Sequence, residues 1–109
     1  MSHIVQSPVT SNLQKEAAPL HERLPVTVIV PAYNEENTIA QTLESLRDQT
    51  IQIEKIIVVD DYSTDKTGEI AKGYEQVTVV RPPRNTGSKA GAQTFALPNV
   101  TSKYTIAID

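Results

Sequence analysis

Four polar clusters hold the residues that could do chemistry, and each follows directly on an apolar run. Pro31-Ala32-Tyr33-Asn34-Glu35-Glu36 follows Val26–Val30, and Asp60-Asp61-Tyr62-Ser63-Thr64-Asp65 follows Ile56–Val59. The stretch from Arg81 to Lys89 follows Val77–Val80, and Asp109 follows Tyr104–Ile108. Together they supply carboxylates, amides, aromatic rings and cations, a set suited to a nucleotide. There is no Cys, so a disulfide framework, a thiolate zinc site and a thiol nucleophile are excluded. The two histidines, His3 and His21, lie in a polar N-terminal stretch apart from these clusters, which argues against a His-based triad. Neither Gly-x-Gly-x-x-Gly nor Gly-x-x-x-x-Gly-Lys-Ser/Thr occurs. Phosphate must therefore be held by a cation or a metal rather than by a glycine-rich loop.

The elements that would position these clusters follow from periodicity. The four apolar runs are short, nearly continuous and rich in β-branched residues, the pattern of strands buried on both faces of a parallel sheet. Helix-period stripes lie between them. Ile39, Ala40, Leu43 and Leu46 form the first, with Asn34 as the expected N-cap and Glu35 and Glu36 in the first turn. Ile70, Ala71 and Tyr74 form the second, after the start signal Ser63-Thr64-Asp65, and Ala92, Phe95 and Ala96 form the third, ended by Pro98. The order β-α-β-α-β-α-β predicts an α/β fold, an open, mostly parallel Rossmann-like sheet with right-handed crossovers. In such sheets ligands bind beyond the carboxyl ends of the strands, where all four clusters fall.

Composition narrows the partners. The 109 residues allow one domain, and Lys plus Arg number 10 against 13 Asp plus Glu, a net charge of −3. That balance gives no support to a nucleic-acid binder, which needs clustered cations. No apolar run approaches the roughly 18–20 residues of a membrane span. The first residues lack the charged and apolar regions of a secretory signal, so a cytoplasmic location is expected. Residues 1–24 read as a flexible polar leader, with Asn12–Ala18 the one stretch where a short helix fits. Residues 25–109 are the expected folded part.

The clusters resemble a known family. Val28-Ile29-Val30-Pro31-Ala32-Tyr33-Asn34-Glu35-Glu36 and Val58-Val59-Asp60-Asp61-Tyr62-Ser63-Thr64-Asp65-Lys66-Thr67 look like the two opening signatures of family 2 glycosyltransferases of the GT-A fold. Asn85-Thr86-Gly87-Ser88-Lys89-Ala90-Gly91-Ala92 is similar to the family's third segment, and Ile106-Ala107-Ile108-Asp109 to the strand entering its metal-binding Asp-x-Asp. The resemblance implies the nucleotide-binding half of a GT-A fold. The Lys-Ala-Gly-Ala form leans toward the processive, polysaccharide-synthesising branch.

What the resemblance implies is a metal-assisted, inverting transfer from a nucleotide-sugar, with UDP-sugar the expected donor and a saccharide or lipid-linked acceptor. A uracil ring presents one N–H between two carbonyls, which a fixed carboxylate can accept. The family pattern puts Asp60 and Asp61 there, with Asp61 favoured. Tyr33, beside Pro31 and Ala32, would pack on the base; Glu35 would lie near the nucleoside; and Lys89 would meet the diphosphate at a helix start. Asp109 would bind Mg²⁺ or Mn²⁺ through hard carboxylate oxygen.

Bland readings stand beside several of these roles. Asp60-Asp61 also fits a pair of strand-end acids, Glu35 a first-turn acid favoured by the helix dipole, Lys89 a solvated charge, and Arg81 and Arg84 a solvated loop. Tyr62 stands where the family usually has Gly, and Gln93-Thr94 where it often has Leu-Asn. The second metal Asp, the later catalytic carboxylate, the acceptor motif and any membrane helices are absent from these 109 residues. The expectation is a donor-binding part, cut at its first metal acid and inactive alone. Two alternatives remain at this point: a phosphoacceptor receiver-like domain built on the Asp60-Asp61 pair, and a non-catalytic nucleotide-binding relic.

Overall fold

The apolar runs become strands whose alternate residues enter two different cores. The computed structural model describes residues 2–5, 26–48 and 53–108. Its elements in chain order are β1 (Ser2–Val5), β2 (Val26–Ala32), α1 (Ile39–Arg47), β3 (Ile53–Asp60), α2 (Thr67–Lys72), β4 (Val77–Val80), α3 (Lys89–Ala96), a short 3-10 turn (Leu97–Asn99) and β5 (Tyr104–Ile108). They form one five-stranded sheet in the order β1-β5-β2-β3-β4. The pairs β2–β3, β2–β5 and β3–β4 are parallel. The expected α/β class and mostly parallel open sheet are what the chain adopts.

Side chains alternate across a strand, and here the alternation separates two clusters. Val28, Val30, Ala32, Ile56 and Val58 pack with Ile39, Leu43 and Ala71 from α1 and α2. Ile29, Ile57 and Val59 pack with Ala92 and Ala96 from α3. Full burial of residues such as Ile39 and Leu43 contributes about 1.5–3 kcal/mol each. The chain steps from β2 to β3 to β4 with α1 and α2 on one face, then returns to β5 with α3 on the other. Helices on opposite faces for opposite directions of travel are what right-handed crossovers require. The reversal beside β2 is a topological switch point, where such sheets open a crevice at their carboxyl edge.

Several local expectations change. β2 runs two residues past Val30, with Pro31 opposite Val59 and Ala32 opposite Asp60. Pairing with β5 reaches only Ile29, so Pro31 interrupts no recorded pairing on that side. β4 has no fully buried residue, as an edge strand rather than a doubly covered one. Phe95, expected in the third apolar stripe, is 37% exposed, while Ala92 and Ala96 are buried. The small residues Ala92 and Ala96, rather than Phe95, fill the contact with the sheet.

Of the expected leader, Ser2–Val5 falls within the described residues. Ser2–Val5 forms a strand antiparallel to β5, from Ser2 opposite Ile108 to Val5 opposite Thr105. The free edge of β5 offers backbone hydrogen bonds that order such a segment without a large apolar face. The suggested helix at Asn12–Ala18 lies outside the described residues. Among the described residues, no helix is long and apolar enough to cross a membrane.

Candidate functional site

Six of the seven predicted nucleotide-site residues line one cleft of about 380 Å³ at the carboxyl edge of the sheet. Pro31, Ala32, Tyr33 and Glu35 enter from the end of β2, Asp61 from the end of β3, and Lys89 from the start of α3. Asn85, Gly87, Ser88 and Ala92 complete its wall. The volume lies within the range of small-molecule sites. Tyr33 lines the cleft and is 51% exposed.

Asp60 is the exception. Its carboxylate accepts from Ser63 N at 3.1 Å and from Arg81 Nη1 at 2.8 Å, and it lines a separate cavity with Asp65, Gly68 and Arg81. Arg81 also donates to the Ser63 carbonyl at 3.0 Å and lies 4.7 Å from the centre of the Tyr62 ring. Arg81 does lie in an exposed loop, as expected, but its guanidinium is tied to a buried carboxylate. The acid pair on which the receiver-like alternative relied is divided between two cavities.

Asp61 is held from the opposite loop. Thr86 N donates to its Oδ1 at 2.9 Å and Thr86 Oγ1 to its Oδ2 at 2.7 Å, while Asn85 Nδ2 donates to its carbonyl at 2.8 Å. The loop turns at Gly87, whose φ of +88° suits glycine and whose N–H bonds Asn85 Oδ1. Ser88 then caps α3 by accepting from Gly91 N at 3.0 Å. Lys89 is the first helical residue, its Nζ 3.8 Å from Glu35 Oε2.

The first loop is positioned by the second. Asn34 does not cap α1, which begins only at Ile39 after a turn closed on the Glu35 carbonyl. Instead Asn34, at φ +51°, donates its N–H to Ser63 Oγ and accepts from Thr64 N at 2.8 Å. Glu35 and Glu36 consequently precede the helix rather than occupy its first turn. Glu35 N donates to Thr67 Oγ1 at 2.8 Å, whose hydroxyl in turn bonds Asp65 Oδ1. Glu36 N reaches Asp65 Oδ2 at 3.1 Å, and Lys66 N reaches Glu36 Oε1 at 3.0 Å. Desolvation raises the pKa of Asp65, but hydrogen bonds from the Thr67 side chain and from the backbone of Thr67, Glu36 and Asp65 itself outweigh it. The carboxyl is held below its ordinary 3.8.

Sequence reasoning missed Asn85, Thr86 and Ser88 as individual builders of the cleft, and Arg81 as the partner of Asp60. Ser88 did carry a signal, a capping residue directly ahead of a helical stripe. Asp109, the predicted metal ligand, lies outside the described residues. Among those described, no group of three or more His, Asp or Glu side chains is gathered to hold a metal ion, so they do not by themselves fit a divalent-metal centre.

Comparison with known proteins agrees with this geometry. The chain is 34% identical over 86 residues to the glycosyltransferase GlyA of Streptococcus pneumoniae serotype 4, covering 77% of this chain and 12% of that protein. It is 33% identical over 90 residues to the poly(ribitol-phosphate) beta-glucosyltransferase of Bacillus spizizenii, covering 77% of this chain and 14% of that protein. The chain thus spans only about an eighth of the length of these two relatives. Among solved structures, S. aureus TarS 1-349 in complex with UDP-GlcNAc superposes with a TM-score of 0.72 at 32% identity, over 79% of this chain and 26% of that one. The mannosyltransferase PcManGT from Pyrobaculum calidifontis, in complex with GDP-Man and Mn²⁺, gives 0.65 at 28% identity, over 87% and 31%. The family model for glycosyl transferase family 2 matches residues 27–109, and with the split-face sheet and its switch-point cleft the chain belongs to that family.

Proposed function

We propose that this chain is the donor-binding part of a sugar transferase and takes the nucleotide of a UDP-sugar in the cleft between Tyr33, Asp61 and Lys89. The observation that carries the reading is the Asp61 carboxylate, fixed by Thr86 at the wall of a cleft that also holds an exposed aromatic ring. A carboxylate keeps acceptor capacity beyond two hydrogen bonds, so it can receive the imide N–H of uracil. Adenine and cytosine present a ring lone pair at the equivalent edge and would be repelled. Guanine, with its own N–H donors, would not. Tyr33 would pack on the base, a contact worth about 1–3 kcal/mol when stacking is good.

The diphosphate belongs at Lys89 and the start of α3, where unpaired helix N–H groups and an ammonium favour an anion. Glu35 would sit beside the nucleoside. TarS crystallised with UDP and with UDP-GlcNAc supports the uridine donor. A relative named as a glucosyltransferase acting on a diphosphoundecaprenol-linked GlcNAc supports a saccharide or lipid-linked acceptor. The Mn²⁺ of the Pyrobaculum enzyme supports a divalent metal, with Asp109 as its proposed carboxylate ligand. The described residues recognise the donor; they are assigned no part in the transfer step.

The test is titration of the chain with UDP, GDP and ADP, followed by NMR. UDP is expected to shift the amide signals of residues 31–35 and 60–63 and to bind more tightly than ADP, and Asp61→Asn to weaken it. Equal response to UDP and ADP would sink the base-recognition reading, and a preference for GDP would reassign the donor.

A further inference from the structure

Asp61 is a single-bonded side chain at the end of a strand, and its carboxylate could occupy several rotamers. Among the described residues, Thr86 is the one that bonds the carboxylate oxygens. It donates its backbone N–H to one oxygen at 2.9 Å and directs its hydroxyl at the other at 2.7 Å. The hydroxyl has one proton and a second acceptor within reach, the Ser88 carbonyl at 3.1 Å. The shorter distance and the negative charge favour the carboxylate. Thr86 is itself seated against α3. A Cβ on Gly91 would lie 3.0 Å from both Thr86 Cβ and Thr86 Oγ1, and 3.2 Å from its carbonyl oxygen. Gly91 thus leaves the space that Thr86 occupies, although no positive φ requires glycine there.

From these contacts we infer that Thr86 is a positioning residue for base selection: it fixes the Asp61 carboxylate in the orientation that accepts a base N–H, and Gly91 makes room for it. The inference rests on the donor reading above and deepens it. Thr86 touches the carboxylate rather than the base, so its effect falls on discrimination between bases and not on the diphosphate. An Asp61 left to sample rotamers would retain its charge but lose the pre-organisation that makes one edge preferred.

The experiment uses the 109-residue chain and compares Thr86→Val, Thr86→Ser and Gly91→Ala. The Asp61 χ1 population is read from NMR scalar couplings without ligand, and UDP and ADP affinities are read by calorimetry. Thr86→Val keeps the backbone N–H and the side-chain shape. It is expected to average the Asp61 rotamer and reduce the UDP-over-ADP preference by about fivefold, the scale of one hydrogen bond to a charged group after partial compensation. Thr86→Ser should restore both readouts, and Gly91→Ala should reproduce the valine result by displacing Thr86. ADP affinity should hold or rise, because an averaged Asp61 carboxylate repels the adenine lone pair less. A merely structural role would lower both affinities together and leave the rotamer fixed in the folded variant, which would overturn the inference. A wild-type chain that binds UDP and ADP alike would remove the donor reading and the selectivity role with it. A wild-type chain that discriminates, with Thr86→Val discriminating equally, would overturn the Thr86 inference alone.

Discussion

Asp60 and Asp61 are adjacent in the chain, equally buried at 5% exposure, and committed to different cavities. Arg81 and Ser63 engage the first carboxylate; Thr86 engages the second. The division separates two jobs that the sequence presents as one motif. Asp60 closes the loop onto the sheet, which leaves Asp61 at the cleft with its backbone already set.

Removing Arg81 should therefore damage the fold before it damages binding. Among the described residues Asp60 would keep the Ser63 N–H alone, and a buried carboxylate without its cation is costly. The Arg81 side chain is itself 43% exposed, so screening reduces the effect. We expect Arg81→Ala to destabilise the chain by about 1–3 kcal/mol in urea unfolding. Arg81→Lys should fall between, because one ammonium cannot reproduce contacts to Asp60, Ser63 and the Tyr62 ring together. No change in either variant would show the ion pair to be incidental.

Gly68 offers an independent view of the same carboxylate. A Cβ there would lie 2.5 Å from Asp60 Oδ2 and 3.3 Å from its Cγ. Alanine is favoured over glycine by about 1 kcal/mol in a helix interior and by less at the second residue of α2, where Gly68 stands. Here the clash falls on a short, buried side chain already paired with Arg81, and overpacking costs about 1–3 kcal/mol. Gly68→Ala is accordingly expected to lower stability despite its helix propensity. Combined with Arg81→Ala it should cost less than the sum, since both act through Asp60.

The Asp65 carboxylate gives the loops a dependence on acid. Its folded pKa lies below the ordinary 3.8, so the stability it contributes is fully present above that value. It is lost as pH falls through the depressed folded value. Melting temperature should fall on acidification below about 3.8 more steeply in the wild type than in Asp65→Asn, whose neutral amide has no proton to gain. Parallel acid limbs in the two proteins would remove Asp65 from the account.

The parts of this architecture visible in sequence are those set by repetition. Four β-branched runs, each ended by polar residues, point to a parallel sheet, and the two central ones, β2 and β3, are the ones buried on both faces. The cleft followed from the strand ends alone. What periodicity could not reveal were the cross-loop bonds. Asn34 is a good capping residue by type, yet Ser63 and Thr64 recruit it from another loop thirty or so residues away. Arg81 beside two prolines has the local character of a solvated turn; only the approach of β3 brings Asp60 to it. β1 escaped notice because an edge strand is held by backbone bonds, which leave little mark on side-chain type.

Lys89 provides the sharpest separation of the diphosphate from the base. Its ammonium faces Glu35 at 3.8 Å, and both side chains are substantially exposed. Such a pair contributes about 0–1 kcal/mol to stability, so Lys89→Ala should leave the melting temperature nearly unchanged. If the ammonium meets the diphosphate, the same substitution should weaken UDP by about tenfold, equivalent to roughly 1.4 kcal/mol. Uridine, which carries no phosphate, should bind as before. Glu35→Gln removes the competing carboxylate and should tighten UDP through Lys89, an effect that raised salt diminishes. Equal losses of UDP and uridine in Lys89→Ala would instead make Lys89 part of the cleft's shape, and the anion would have to be held by the α3 backbone alone.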